Sequence, residues 1–315
     1  MGILVTNPGI FTTVQDEGRL RLQQYGVSPS GPMDARSFHA ANILVGNERT
    51  EGALEITFSG PTLQFDEDNI IAITGGNMQP KLNGSAFPMN RAVLVHGGDE
   101  LSFGFAVNGV RGYIAFAGGL DVPLVMGSKS TLVSKHLGGI EGRALQKGDR
   151  IGFVSPRTTL PHMERRVLTA REYPTKEIVL RAIPGPQDFE FSREELRKFF
   201  WYGAEITNEF DRMGCRLQRE EPLHHLKDGN IISDGIAAGS VQVPTNGQPI
   251  IMLADRQTVG GYTKIATVIS SDLPKIAQAR PGMHIRFVSI DIDFAQDIYI
   301  ADLKEMDAFE KEMEG

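Results

Sequence analysis

Cysteine is nearly absent. Cys215 is the only one in 315 residues, so no disulfide can form within the chain. Such usage fits a protein kept in a reducing cytoplasm, and a lone thiol with no visible base reads as buried packing rather than as a nucleophile. No apolar run approaches the roughly 20 residues of a membrane-spanning helix. The opening stretch, Met1-Gly2-Ile3-Leu4-Val5-Thr6-Asn7-Pro8-Gly9, has neither the basic region nor the apolar core of a secretory signal. Positive charge is not in excess either. A net charge of -7 and a pI near 5.6 argue against a nucleic-acid partner.

Several chemical signatures are missing as well. Gly127-Ser128-Lys129-Ser130-Thr131 invites a phosphate-loop reading, but Ser128 stands where that motif needs glycine and the earlier glycine is absent. Lys129 remains a residue that could meet an anion. The seven histidines are scattered apart from His224-His225, whose side chains point different ways on any regular element. With no His-x-x-x-His and no cysteine pair, no metal site is expected. There is no Gly-x-Ser-x-Gly nucleophile elbow and no Gly-x-Gly-x-x-Gly opening of a Rossmann unit. No Ala-Met-Lys-Met-like biotin attachment lysine occurs, so any biotin must ride on another chain.

What the chain does hold is glycine, 35 residues, and proline, 17, spaced between short apolar runs. Leu54–Phe58, Ile70–Thr74, Arg91–Val95, Arg111–Ala117 and Ile178–Ile183 read as strands, punctuated by Gly-Gly pairs at 75–76, 97–98, 118–119 and 138–139. That rhythm indicates a mainly β sandwich or barrel. A turn feeding an alternating strand recurs at Gly98-Asp99-Glu100-Leu101-Ser102-Phe103, Gly148-Asp149-Arg150-Ile151-Gly152-Phe153 and Gly282-Met283-His284-Ile285-Arg286-Phe287. Helices are few. Asp34 can cap one over Ala35–Val45, Ser192-x-x-Glu195 opens another through Trp201, and Asp272 with Pro274 starts a third that Pro281-Gly282 ends. Phe294, Ile298, Met306, Phe309 and Met313 recur at helical spacing in the tail, as expected of a helix docked on the fold or on a partner. Ser155–Pro174, with three prolines and Arg165-Arg166, reads as a linker, which places one domain over 1–165 and a second over 166–315.

The most informative stretch is Leu253-Ala254-Asp255-Arg256-Gln257-Thr258-Val259-Gly260-Gly261-Tyr262-Thr263-Lys264. Ile250–Ala254 enters it and Ile265–Ile269 leaves it, both β-branched runs. A bare hairpin would need only the Gly-Gly turn. The surrounding charges, amide and hydroxyls make this either a ligand-facing loop or a solvated connection whose polar side chains merely cap it.

Long blocks of the chain resemble a family known as KipI antagonist (KipA), the C subunit of 5-oxoprolinase, or allophanate hydrolase subunit 2-like. That family is similar in turn to half of the carboxyltransferase domain of urea carboxylase. The matching residues are Thr13–Arg19, Tyr25–Asp34, Ala117–Pro123 with Val125–Ser128, Gly185-Pro186-Gln187, Asp211–Gly214, Ile232–Ile236, Val241–Pro244 and, most specific, Asp255–Tyr262. Val259 departs from the threonine common there. The resemblance implies two cyclophilin-like β-barrel subdomains with a few short helices. It implies work in a complex with a KipI-like protein (the B subunit of 5-oxoprolinase) and a LamB/YcsF-like protein (its A subunit), opening 5-oxoproline to glutamate at the expense of ATP. The alternatives it carries are carboxyl transfer from biotin on a partner to a urea-like amide, and regulation as an antagonist of the kinase inhibitor KipI.

On that footing Asp255, Gln257, Thr258, Tyr262 and Lys264 are candidate catalytic residues. Asp255 would accept a proton or hydrogen bond from an amide nitrogen, while Gln257 and Thr258 would read a planar amide edge. Gly260 and Gly261 would offer amides to a developing oxyanion, and Arg256 or Lys264 would hold a carboxylate. Arg212, Gln15, Asp16 and Arg19 are further candidates for substrate binding, each with an ordinary surface ion pair or capping role as the alternative. ATP is expected to bind elsewhere in the complex, and the chain alone is expected to be inactive.

Overall fold

The computed structural model describes residues 2–314. Backbone contacts divide the chain into two compact units, the first Met1–Leu20, Ser30–Tyr173 and Glu305–Gly315, the second Arg21–Pro29 and Pro174–Lys304. The sequence alone sets the division at 165/166; the contacts set it at Tyr173/Pro174 and assign two short pieces to the other unit. Arg166 supplies the physical reason. Its guanidinium is buried and donates to the carbonyls of Ile43 (3.0 Å), Leu44 (3.2 Å), Pro161 (2.9 Å) and Met313 (2.7 Å). Ile43, Leu44 and Met313 lie in the last turns of two helices, where carbonyls have no intrahelical partner. One arginine therefore straps the expected linker onto the first unit.

In the first unit the strands are β1 (Gly2–Asn7), β2 (Phe11–Gln15), β3 (Ala53–Thr57), β4 (Thr62–Phe65), β5 (Asn69–Asn77), β6 (Lys81–Leu82), β7 (Ser85–Ala86), β8 (Ala92–Val95), β9 (Glu100–Ser102), β10 (Asn108–Phe116), β11 (Leu120–Asp121) and β12 (Arg150–Phe153). They form two sheets, β11-β12-β1-β4-β9-β6-β7 and β2-β3-β10-β5-β8. The period-2 alternation of a strand decides which residues go where. Ile71 and Ile73 of β5 and Ile114 and Phe116 of β10 join Ile3, Val5, Leu63 and Phe65 in one core. Their neighbours Ile70, Ala72, Tyr113 and Ala115 face the opposite way and pack under α1 (Ala35–Leu44). Asp34 caps α1, accepting from Ser37 N at 3.0 Å and Ser37 Oγ at 2.7 Å, and Gly46 leaves it at φ +69°. The three recurring turns enter β9, β12 and β20 (His284–Ser289), and Gly98, Gly148 and Gly282 all take positive φ, which glycine adopts without a Cβ penalty.

The second unit continues with β13 (Glu177–Pro184), β14 (Ala204–Phe210), β15 (Gly214–Gln218), β16 (Asn230–Gly235), β17 (Ser240–Val243), β18 (Ile250–Met252), β19 (Val259–Val268) and β20. The order β13-β20-β14-β15-β18-β17-β19 closes on itself, because β19 also pairs antiparallel with β13 through Ala182↔Val268 and Pro184↔Ala266. This is a seven-stranded barrel with β16 added outside the ring on β19. Closure removes the open sheet edges that would otherwise template aggregation. Cys215 lies buried in β15, as packing.

Two helix starts depart from the simple capping pattern. Ser192 caps α2 (Arg193–Trp201) by accepting from Glu195 N at 3.2 Å, but the Glu195 carboxylate turns to His224 N at 3.0 Å instead of completing the box. Asp272 precedes α3 (Leu273–Ala277) without capping it. Its fully buried carboxylate is taken by Arg181 N, Nε and Nη2 and by Lys275 Nζ. Burial pushes that carboxyl up, but these partners outweigh burial and hold it below the usual carboxylate range. The helix also stops at Ala277, short of Pro281-Gly282. The tail is one helix, α4 (Ile292–Glu314). Its last turns dock within the first unit, with Met306 and Met313 in the core under α1 and ion pairs from Arg36 to Glu305 and from Arg49 to Asp307 and Glu310. Met306 and Met313 are thus spoken for inside the chain and are not open to a partner. Among the described residues no helix is long and apolar enough to cross a membrane.

Replacing Arg166 by methionine keeps much of the apolar stem and removes every donor. Since each buried carbonyl left without a partner costs about 1–3 kcal/mol, the variant is expected to lose at least about 2 kcal/mol in urea unfolding of the purified chain. An unchanged midpoint would show that Arg166 does not hold this segment.

Candidate functional site

The informative stretch begins as a turn after β18. Asp255 and Arg212 are both buried, and they meet side on: Arg212 Nε donates to Asp255 Oδ2 and Nη2 to Oδ1, each at 2.9 Å. The backbone repeats the link, Asp255 N to Arg212 O at 2.8 Å and Leu253 N to Met213 O at 3.0 Å. A two-pronged guanidinium–carboxylate pair fixes geometry as well as charge. Asp255 and Arg212 are therefore turned to each other, and neither carboxylate oxygen is left as an idle base. Arg256 is buried too; its Nε donates to Ile236 O at 3.0 Å and its Nη1 to Leu253 O at 3.2 Å, while Ser28 Oγ donates to its carbonyl at 2.6 Å. Burial pushes the Arg256 guanidinium down from its usual range. Gln257 is exposed, and Thr258 offers its carbonyl to Ile236 N at 2.9 Å.

The second half of the stretch is strand rather than loop. β19 starts at Val259, so Gly260, Gly261, Tyr262 and Lys264 are ladder residues, with Asp234↔Gly260 and Asn230↔Tyr262 opposed across β16. Neither glycine takes a positive φ. Gly260 is there for room: a Cβ on it would sit 2.8 Å from Ile236 Cδ1 and 2.9 Å from Gln242 Nε2. Gly261 is more open. Tyr262 is 41% exposed.

Lys264 is where separate parts of the sequence converge. Its side chain is 3% exposed, and Nζ donates to Asp234 Oδ2 at 2.7 Å. Asp234 is half exposed, and the Lys264 ammonium holds its carboxyl below the usual range. Gln187 binds both, accepting from Lys264 N at 3.1 Å and donating to Asp234 Oδ2 at 3.3 Å. It can come this close because Gly185 precedes it; a Cβ at Gly185 would lie 2.1 Å from Lys264 O. Across the ladder Gln242 of β17 faces Lys264, and the register jumps between Val241↔Ala266 and Gln242↔Lys264. This bulge breaks the alternation, so Thr263, Lys264, Ile265 and Ala266 are buried in succession. Next to it, His225 Nε2 lies 2.9 Å from Thr263 Oγ1 and 3.1 Å from Val243 O, and burial pushes its imidazole down, towards the neutral form.

Gln187, Asp234 and Gln242 are not among the residues that the sequence singles out as site residues. The blocks that contain them are visible, but nothing in the linear order says that they meet at Lys264. The cluster's chemistry is that of a nearly buried cation and planar amides gathered near a half-exposed carboxylate, suited to a small ligand with carbonyl or carboxylate oxygens.

The first-unit candidates form a different assembly. Asp16 accepts from Lys129 N (2.6 Å), Ser130 N (3.2 Å), Ser130 Oγ (2.6 Å), Gly18 N (2.9 Å) and Ser128 Oγ. Gln15 Nε2 donates to Thr13 Oγ1 and Thr131 O, and Arg19 to Val125 O and Ser130 O. Lys129 Nζ meets an anion, the carboxylate of Glu51. The backbone donors of Ser128, Lys129 and Ser130 are thus filled from within. A cleft of about 740 Å³ in the same unit, lined in part by Asn77, Lys81, Phe87, Asn90 and Arg171, holds none of the residues expected to act.

Asp255→Asn should leave Arg212 as a buried cation facing a neutral amide. Losing one partner of a buried pair costs about 3–5 kcal/mol, so a clear fall in the melting temperature of the isolated chain is expected. A wild-type melting temperature would contradict the pairing as a fixed part of the turn.

Residues 25–289 match the family model described as carboxyltransferase domain, subdomain A and B. The chain is 37% identical over 291 residues to the 5-oxoprolinase C subunit of Escherichia coli (strain K12), covering 92% of each. It is 35% identical to "Urea amidolyase" of Lachancea kluyveri over 93% of this chain, but it spans only 17% of that protein. The crystal structure of the Kluyveromyces lactis urea carboxylase superposes with a TM-score of 0.90 at 30% identity, over 98% of this chain and 29% of the other. The shared part is thus nearly the whole of this chain but a minor part of the urea-processing proteins. The chain belongs to the family of the carboxyltransferase domain, subdomains A and B.

Proposed function

We propose that this chain is the C subunit of an ATP-dependent 5-oxoprolinase, which opens 5-oxoproline to glutamate together with a KipI-like and a LamB/YcsF-like protein. The observation that carries the reading is the likeness to the 5-oxoprolinase C subunit over 92% of both chains, a match in extent as well as in residues. In the reaction the lactam C–N bond breaks, the oxygen of water joins the acyl carbon, and a proton goes to the nitrogen; hydrolysis of ATP drives it. Lys264 and its neighbours suit the part of this chemistry that needs no nucleotide. The Lys264 ammonium would hold an anionic oxygen of the substrate, with Asp234 and Gln187 positioning it. Asp255, Arg212 and Arg256 would act indirectly by keeping the turn into β19 in place, and Tyr262, exposed on β19, would lie at the edge of the site. ATP would be bound by another member of the complex.

The second reading, carboxyl transfer from biotin on a partner, is favoured by the likeness to urea amidolyase and urea carboxylase. Biotin's ureido carbonyl and the carboxyl group it carries present the same oxygen chemistry to Lys264. The regulatory reading, antagonism of KipI, needs only the partner surface.

Co-expression with the KipI-like and LamB/YcsF-like proteins separates these readings. The complete complex should release glutamate from 5-oxoproline with ATP hydrolysis, show no turnover with urea, and ignore avidin. The chain alone should do neither reaction. A complete complex without glutamate release, or turnover by the isolated chain, would overturn the proposal.

A further inference from the structure

Gln242 carries a feature the 5-oxoprolinase reading does not use. It is 4% exposed, yet among the described residues its Nε2 has no hydrogen-bond partner. A buried amide donor left unmade costs free energy comparable to a lost hydrogen bond, and native proteins leave few of them without a reason. The atom lies beside the Cα of Gly260, since a Cβ there would be 2.9 Å from it. Gly260 in turn opposes Asp234 across β16–β19, and Gln242 opposes Lys264 across β17–β19. Idle donor, missing side chain and buried ammonium therefore belong to two paired strands, β17 and β19, with Asp234 of β16 on the far side of β19. The fold also contributes the bulge at this point, a device that re-aims side chains.

We propose that Gln242 is a specificity-determining residue: its Nε2 donates a hydrogen bond to the carbonyl oxygen of a planar cyclic amide held against Gly260, while Lys264 takes the ligand's anionic oxygen. The inference rests on the 5-oxoprolinase reading for the identity of that ligand, 5-oxoproline. A site built to donate to an oxygen discriminates strongly against an analogue that lacks it, because the donor then stays buried and unpaired. Proline, which has the ring and the carboxylate but no ring carbonyl, is the analogue to compare. Gly260 has no side chain to press on the amide.

Two substitutions test this in the reconstituted complex. Gln242→Leu deletes the donor and fills the same space with apolar atoms. Because Nε2 makes no bond among the described residues, the melting temperature should stay or rise, and the partner proteins should still co-elute. KM for 5-oxoproline should rise at least tenfold, and inhibition by proline should be unchanged. Gly260→Ala places a methyl against Nε2, displaces only the ends of two side chains, and should raise KM in the same way. A lower melting temperature for Gln242→Leu would mark the residue as structural and overturn the inference, as would wild-type KM in both variants. If the wild-type complex itself releases no glutamate, the 5-oxoprolinase reading fails; Gln242 as a ligand donor then fails too unless a cyclic ureide protects the wild-type chain, and not Gln242→Leu, against thermal unfolding.

Discussion

β19 is bound on every side, and the second unit depends on it. Its end, Ala266 to Val268, closes the barrel against β13, while its start pairs with β16 and carries Gly260. Its middle faces β17 across the bulge and presents Lys264. A side chain on a strand paired this way cannot shift without disturbing ring closure, so Lys264 is held with the precision of the barrel rather than of a loop. Preorganised charge in a water-poor setting is what stabilises charge developing in a reaction. The same strand therefore closes the barrel and carries the proposed charge.

The charged residues around it divide into two kinds. In the Arg212–Asp255 and Arg181–Asp272 pairs the carboxylate is buried and met by a forked guanidinium. Pairs of this kind tie turns to strands and are costly to break. Lys264–Asp234 differs because its carboxylate is the half-exposed partner and its cation is almost fully buried. A ligand's oxygens could replace or join Asp234 at the ammonium without stranding a buried carboxylate. Nε2 of Gln242 adds a second donor, one without a partner among the described residues.

Much of the fold was legible because period-2 alternation and turn glycines are local. β3, β5, β8, β10 and β13 lie where the apolar runs put them, and Gly98, Gly148 and Gly282 take the positive φ that their turns imply. Hidden features were those set by distant partners. Asp272 looked like a cap but is held by Arg181, 91 residues away. Arg166 looked like part of a linker but caps helix ends in the first unit. Gly260-Gly261 looked like a turn but belongs to a strand, where the side chain of Gln242 leaves no room beside Gly260. Of the candidate site, the stretch around Lys264 is legible in the sequence and the company it keeps is not: Gln187, Asp234 and Gln242 reach Lys264 only through the ladder and the Gly185 loop.

The central claim is that the Lys264 ammonium is the charge the substrate meets. Lys264→Met removes it while keeping most of the stem, and the half-exposed Asp234 is left to water rather than stranded in the interior. The measurement is glutamate release by the reconstituted complex containing this variant, with co-elution of the partner proteins and melting temperature as controls. The account predicts a folded, assembled complex whose turnover falls by about 10²-fold or more, the scale of losing one preorganised charge-stabilising donor. Wild-type turnover by that complex would contradict it.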